Sequence, residues 1–229
     1  MLLEPSGRVI MVRFLFGGAR NEGNPNILYS CTVIAVAADT YSVNYNDGVL
    51  LTFVTMEQQL ILVNEKDEMT GTGGKMEVHQ KGLLHRAFSV FVFNSKGEML
   101  LQQRAINKYH SGGLWTNACC SHPNPGEEIQ EAAKRRLKEE LGFEILVVKR
   151  FDFVYKANFE NGLTEYEFDH VFTGEYDGRV NFNKEEVMDV CYKTMEDIRD
   201  ALKTDPQGYT AWFHLAFPKI EKWWKEKYS

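Results

Sequence analysis

Segment 127–141, closed by Gly142, limits the possible folds of this chain more than any other stretch. Ile129, Ala132, Ala133, Leu137 and Leu141 recur at helical spacing, which predicts an amphipathic helix with one buried face. Gly142 stands where a helix takes a left-handed residue to end. Glu131–Arg135, Arg135–Glu139 and Arg136–Glu140 are four apart and can pair along the helix. Just ahead of it runs Trp115-Thr116-Asn117-Ala118-Cys119-Cys120-Ser121-His122-Pro123, which offers a thiol two residues from an imidazole. A loop presenting Cys and His, followed by a helix presenting carboxylates, reads as a metal-and-acid site.

The flanking segments supply a sheet. Residues 87–93 (Ala-Phe-Ser-Val-Phe-Val-Phe) predict a strand buried on at least one face, Asn94-Ser95-Lys96-Gly97 a turn, and 98–104 the returning antiparallel strand. Residues 60–63 predict a strand, 64–68 a polar turn, and Thr70-Gly71-Thr72-Gly73-Gly74 a flexible one. Segments 145–156 and 165–173 read as strands around Asn161-Gly162. Residues 185–203 hold helical material, and 209–227 form a closing helix rich in aromatics.

Residues 1–55 have a different texture, rich in β-branched and aromatic residues, Gly and Asn. Segments 8–16, 27–36, 40–45 and 49–54 read as short strands, with Asn46-Asp47-Gly48 as a hairpin signal. This divides the chain into a β-rich extension, 1–55, and a second domain, 56–229. Over residues 38–48 alone the extension resembles Tudor or SH3-like barrels. It reads either as an interaction module of unknown partner or as an appendage outside the chemistry.

With 44% apolar and 25% charged residues in 229, the composition is that of a globular chain. Lys and Arg number 26 against 32 Asp and Glu, a net charge of −6. That disfavours nucleic acid as a partner and leaves room for a local basic pocket binding a phosphate ester. No apolar run approaches the roughly 20 residues that cross a bilayer, and the start shows no secretory pattern. Cys31, Cys119, Cys120 and Cys191 do not form a disulfide framework, which fits a reducing, cytoplasmic setting.

His79, His85 and His122 stand out, with Glu165-Tyr166-Glu167 on a strand that sends both carboxylates to one face. Three imidazoles and two carboxylates would make an N/O site for Mn²⁺, Zn²⁺ or Mg²⁺. Read singly, each histidine is equally a satisfied core or surface residue. Cys120 is either a small buried residue or a thiol able to give and take a proton. Lys75, Arg104 and Lys108 are either surface charge or a diphosphate clamp. Trp212 is either core or a ring face that could stabilise a cation.

Three stretches together, Gly82-Leu83-Leu84-His85-Arg86-Ala87-Phe88-Ser89-Val90-Phe91, Leu100-Leu101-Gln102-Gln103-Arg104 and Trp115 to Pro123, resemble the type 1 isopentenyl-diphosphate Δ-isomerases of the Nudix superfamily. The resemblance runs from about residue 60 to the C-terminus. It implies the Nudix fold, an α/β (α+β) arrangement with a mixed β-sheet core flanked by helices. The activity implied is interconversion of isopentenyl and dimethylallyl diphosphate.

The Nudix signature is also present in altered form: Ser121 holds the Gly place, Glu127, Arg135, Glu139, Glu140 and Gly142 match, and Arg136 replaces a Glu. That replacement opposes the alternative of a diphosphate hydrolase. Intact Cys120 and Glu167 oppose a binding module without activity.

Carried onto these positions, the resemblance implies one divalent metal on His79, His85, His122, Glu165 and Glu167. It implies a Mg²⁺ held by Glu140 and the Cys120 carbonyl against the substrate diphosphate. Lys75, Arg104, Lys108 and Arg136 would bind that diphosphate. Cys120 would be the acid/base on one face, Glu167 with Tyr155 on the other, and Trp212 would stack over the reacting carbons.

Overall fold

The computed structural model describes residues 57–228 and the backbone of two short strands before them. Two units, Met1–Glu57 and Gln58–Ser229, divide the chain. In the first, β1 (Thr40–Asn44) and β2 (Leu50–Val54) pair antiparallel, Thr40 opposite Val54 and Asn44 opposite Leu50. This is the pairing the hairpin signal predicts. The Asn46-Asp47-Gly48 turn and the strands expected at 8–16 and 27–36 lie outside the described residues.

The second unit is built on a nine-stranded mixed sheet among the described residues. Its central order is β11 (Val187–Lys193), β6 (Met99–Arg104), β5 (His85–Phe93), β10 (Thr164–Glu175), β9 (Val148–Asn158). β5 and β10 run parallel, with Glu167 opposite His85, and β9 joins β10 antiparallel. The short strands β7 (Trp115–Asn117) and β8 (Cys119–Ser121) attach to β6 and β5. The sequence reads this Cys-His stretch as a loop; ladder bonds to the neighbouring strands make it extended sheet.

Alternation along the strands separates two cores. Phe88, Val90 and Val92 of β5 face α2 (Ile129–Leu141), packing with Ala132, Ala133, Leu137 and Leu141. Phe91 and Phe93 face α3 (Met195–Thr204) and α4 (Ala211–Tyr228), meeting Ile198, Phe213, Phe217 and Ile220. Leu137 and Leu141 are fully buried, each contributing about 1.5–3 kcal/mol of transfer free energy. Gly142 adopts the expected left-handed cap at φ 77°.

Three further expectations change. Arg135 does not pair with Glu131; its fork takes both oxygens of Glu127 at 2.7 and 2.8 Å, and Glu131 takes Lys134. The two-bond geometry holds the Glu127 loop onto the helix and outweighs a single-point surface pair. Residues 185–203 hold strand β11 before helix α3, because Val187, Val190 and Cys191 continue the sheet beside β6. Thr70 to Gly74 is no turn: β4 (Met69–Gly74) pairs with β3 (Gln59–Val63) and runs into helix α1 (Lys75–Lys81). A Cβ on Gly73 would lie 2.8 Å from Val78 Cγ2, so the bare backbone lets strand and helix pack.

Candidate active site

Along one face of β5 and β10 the residue type changes from ionisable to apolar. On β10, Glu165, Glu167 and Asp169 precede Val171; on β5, His85 and Ser89 precede Phe91 and Phe93. The apolar end is covered by α3 and α4. The ionisable end stays open as a cavity lined by Lys75, Arg104, Lys108, Cys120, His122, Arg136, Glu140, Tyr155, Glu165, Glu167 and Trp212. His79 and His85 lie fully buried. All thirteen side chains singled out in the sequence thus meet in one region.

The histidines converge through their Nε2 atoms. His79 Nδ1 donates to the Lys75 carbonyl at 2.6 Å and His85 Nδ1 to the Leu83 carbonyl at 2.9 Å. Both Nε2 atoms are thereby left with bare lone pairs. His79 Nε2 sits 3.1 Å from Glu165 Oε2, His85 Nε2 3.2 Å from His122 Nε2, and His122 Nε2 3.0 Å from Glu167 Oε1. Ligand atoms of His79, His85, His122 and Glu165 all lie within 4.8 Å of one another. Bonds of about 2.0–2.2 Å put the ligands of one ion about 3–4 Å apart, so the donor set fits a divalent metal. His85 Nε2 and His122 Nε2 face each other at 3.2 Å, with Glu167 Oε1 3.0 Å from the latter, a cluster of donor atoms that one shared cation would satisfy.

Electrostatics act differently on the individual ligands: burial opposes charge on His79, yet the Glu165 carboxylate beside it outweighs this and raises its pKa. Burial lowers the His122 pKa to about 4, leaving it neutral and able to ligate. Burial opposes charge on Glu165, yet its contacts with His110 and His79 outweigh this and hold the carboxyl well below its ordinary range. Burial and then Glu165 act in the same way on Glu167, pushing it up, while His122 and His85 bring it down to a net lowering.

Cys120 lies across β5 from Glu167: β8 places it opposite Ser89 on one edge, and β10 places Glu167 opposite His85 on the other. Its Sγ–H donates to Asn117 Oδ1 at 3.0 Å and contacts Ser89 Oγ at 3.3 Å. Asn117 is fixed because its amide donates to the carbonyls of Val90 and Cys119. Burial, then the charge of Asp169, pushes the Cys120 thiol far up, so it holds its proton. Tyr155 donates to Glu167 Oε2 at 2.6 Å, and burial keeps that phenol protonated. Adjacent Cys119 faces the other side of β8, toward Glu140 at 3.6 Å; among the described residues Cys119, Cys120 and Cys191 are free thiols.

At the cavity mouth Arg136 binds Glu140 Oε1 at 2.5 Å, and Lys108 pairs with Glu186. Arg104 stacks its guanidinium over Trp212, 5.1 Å from the ring centroid. Lys75 is buried enough to lower its pKa to about 8. Trp212 reaches the site because Thr210, just before α4, bonds Trp115 and Thr116 of β7.

The sequence reading missed His110, Asp169, Asn117 and Glu186. Asp169 had a signal: it continues the Glu165, Glu167 alternation by one step. His110 and Glu186 had none, because nothing in their local pattern says that a connecting segment returns to the cavity.

The NUDIX domain profile matches residues 83–213. An "Isopentenyl-diphosphate Delta-isomerase 2" of Photorhabdus laumondii is 47% identical over 173 residues, 73% of this chain and 98% of that protein. The chain belongs to the Nudix isopentenyl-diphosphate Δ-isomerase family. A second isopentenyl-diphosphate Δ-isomerase, of Aromatoleum aromaticum, is 47% identical over 72% of this chain and 87% of its own length. Among solved structures, DR0079 from Deinococcus radiodurans superposes with a TM-score of 0.55 at 22% identity, over 65% of this chain and 90% of that one. That likeness shows a shared fold and no activity.

Proposed function

We propose that this isomerase interconverts isopentenyl and dimethylallyl diphosphate by proton transfer at two groups held on opposite sides of β5. The observation that carries the reading is that Cys120 and Glu167 line one cavity from the two edges of β5, the thiol pushed up by burial and the carboxylate held down by its histidines and bonded by Tyr155. An unactivated alkene must be protonated at one carbon and relieved of a proton at another, so the site needs one group that gives while the other takes. Reversal of the reaction exchanges the roles. The Trp212 ring face stabilises the tertiary cation between the two steps without trapping it.

Lys75, Arg104, Lys108 and Arg136 bind the diphosphate, and that binding energy positions the five-carbon chain between sulfur and carboxylate. His79, His85, His122, Glu165 and Glu167 would hold a divalent metal, with Mn²⁺, Mg²⁺ or Zn²⁺ all matching the donors. Glu140 and the Cys120 carbonyl would hold a Mg²⁺ against the diphosphate. Bound there, the metals supply positive charge that orients Glu167 and offsets the substrate's phosphates. Every residue in this scheme lies between Lys75 and Trp212, so 1–55 is a separate domain outside the chemistry. The free thiols suit a reducing cytoplasm, and no described helix is long and apolar enough to cross a membrane.

The test is proton NMR of isopentenyl diphosphate with the protein, Mg²⁺ and Mn²⁺ in D₂O. The expected result is dimethylallyl diphosphate carrying deuterium. Release of phosphate or pyrophosphate without isomerisation would transfer the chain to the hydrolases.

A further inference from the structure

His110 belongs to none of the roles above, yet it is the fourth imidazole at the metal cluster. It sits in the segment between β6 and β7 and is 7% exposed. Its Nε2 lies 2.6 Å from Glu165 Oε1, the oxygen turned away from His79. The contact is short but angled off the ideal hydrogen-bond line. On the other side of the ring, Nδ1 is 3.2 Å from the Ser111 hydroxyl. Ser111 has a left-handed backbone, φ 52°, a conformation that non-glycine residues adopt only where the surroundings hold it.

The ring is fixed from both faces of the pocket. It stacks on Phe159 at 4.7 Å and 13°, and meets Trp212 edge-on at 5.8 Å and 86°. Its backbone is anchored too, since Arg104 donates to the carbonyls of His110 and Ser111, both at 3.2 Å.

We propose that His110 is a positioning residue of the metal site: its Nε2–H holds Glu165 Oε1, so that Oε2 is presented to the convergent imidazoles of His79 and His85. A serine hydroxyl donating to Nδ1 fixes the tautomer that carries its hydrogen on Nε2. Groups one step behind a ligand orient it, and their loss typically costs 10–100-fold in metal affinity. Because Arg104 grips the same segment, the diphosphate clamp and the metal ligands share one support.

This inference rests on the metal-site reading, and the experiment separates the two. Mn²⁺ affinity of the full chain would be measured by titration for wild type, His110→Phe and His110→Gln, beside the melting temperature of each metal-free protein. Phe keeps the stacking and loses the donor; the Gln amide restores a donor at nearly the same reach. The expected result is about 10–100-fold weaker Mn²⁺ binding in His110→Phe at an unchanged metal-free melting temperature, with partial recovery in His110→Gln. Wild-type affinity in His110→Phe would overturn the inference and leave the metal site standing. Equal losses in both variants with a lowered melting temperature would reduce His110 to packing. One fewer imidazole nitrogen in the spin-echo modulation of bound Mn²⁺ in His110→Phe would make it a ligand, again overturning the positioning role. Absence of Mn²⁺ binding in the wild type would sink the metal-site reading itself.

Discussion

A thiol and a carboxylate can share one acid/base task because their surroundings move them in opposite directions. Burial keeps the proton on Cys120, while the histidines around Glu167 keep it ionised. Cys120→Ala removes the transferable proton on one face and only a small volume from β8. It is expected to lower kcat by at least about 10²–10⁴-fold with little change in the melting temperature; retained turnover would take Cys120 out of the mechanism. Lys75 gives a pH signature. Burial lowers its pKa to about 8, and only the charged amine attracts a diphosphate. The ratio kcat/KM, which reports the free enzyme, is expected to fall as pH rises through about 8. In Lys75→Arg, whose guanidinium stays charged, that alkaline fall is expected to vanish. An unchanged profile in Lys75→Arg would assign the fall to another group.

Elements matter here through what they deliver. Helix α1 exists to place His79: its buried side holds Val78 and His79, and its entry strand β4 packs close through Gly73. Gly73→Ala sets a methyl 2.8 Å from Val78 Cγ2, a stiff β-branched neighbour that cannot swing aside. Overpacking of this kind costs about 1–3 kcal/mol, and the shift passes to His79. Both a lower melting temperature and weaker Mn²⁺ binding are expected; a variant that unfolds earlier yet binds Mn²⁺ as before would uncouple α1 from the metal site. The stretch Thr70 to Gly74 misleads in the sequence because glycines usually mark turns. Here Gly73 permits close packing, and only the partner helix reveals that.

At the scale of the molecule, every assigned side chain lies in the second unit, Gln58–Ser229. Deleting 1–55 is therefore expected to leave kcat and KM for isopentenyl diphosphate within error of the full chain; a fall in kcat would bring the extension into the chemistry. Much of the rest was legible beforehand. Helical periodicity marked α2 and its glycine cap, a nearly continuous apolar run marked β5, alternation marked the Glu165–Glu167 pair, and the Cys-His motif marked the acid/base residues though not their strand, because these depend on neighbours within one element. His110, Asn117 and Glu186 were not legible, and neither was the choice of Glu127 over Glu131 by Arg135. Their roles depend on distances between segments far apart in sequence, such as the 2.6 Å from His110 to Glu165. The order of residues along the chain determined which chemical groups this protein carries and which local elements hold them. Only the packing of the sheet against its helices decided which groups meet, because burial and mutual distance, rather than residue type, set the charge each one bears.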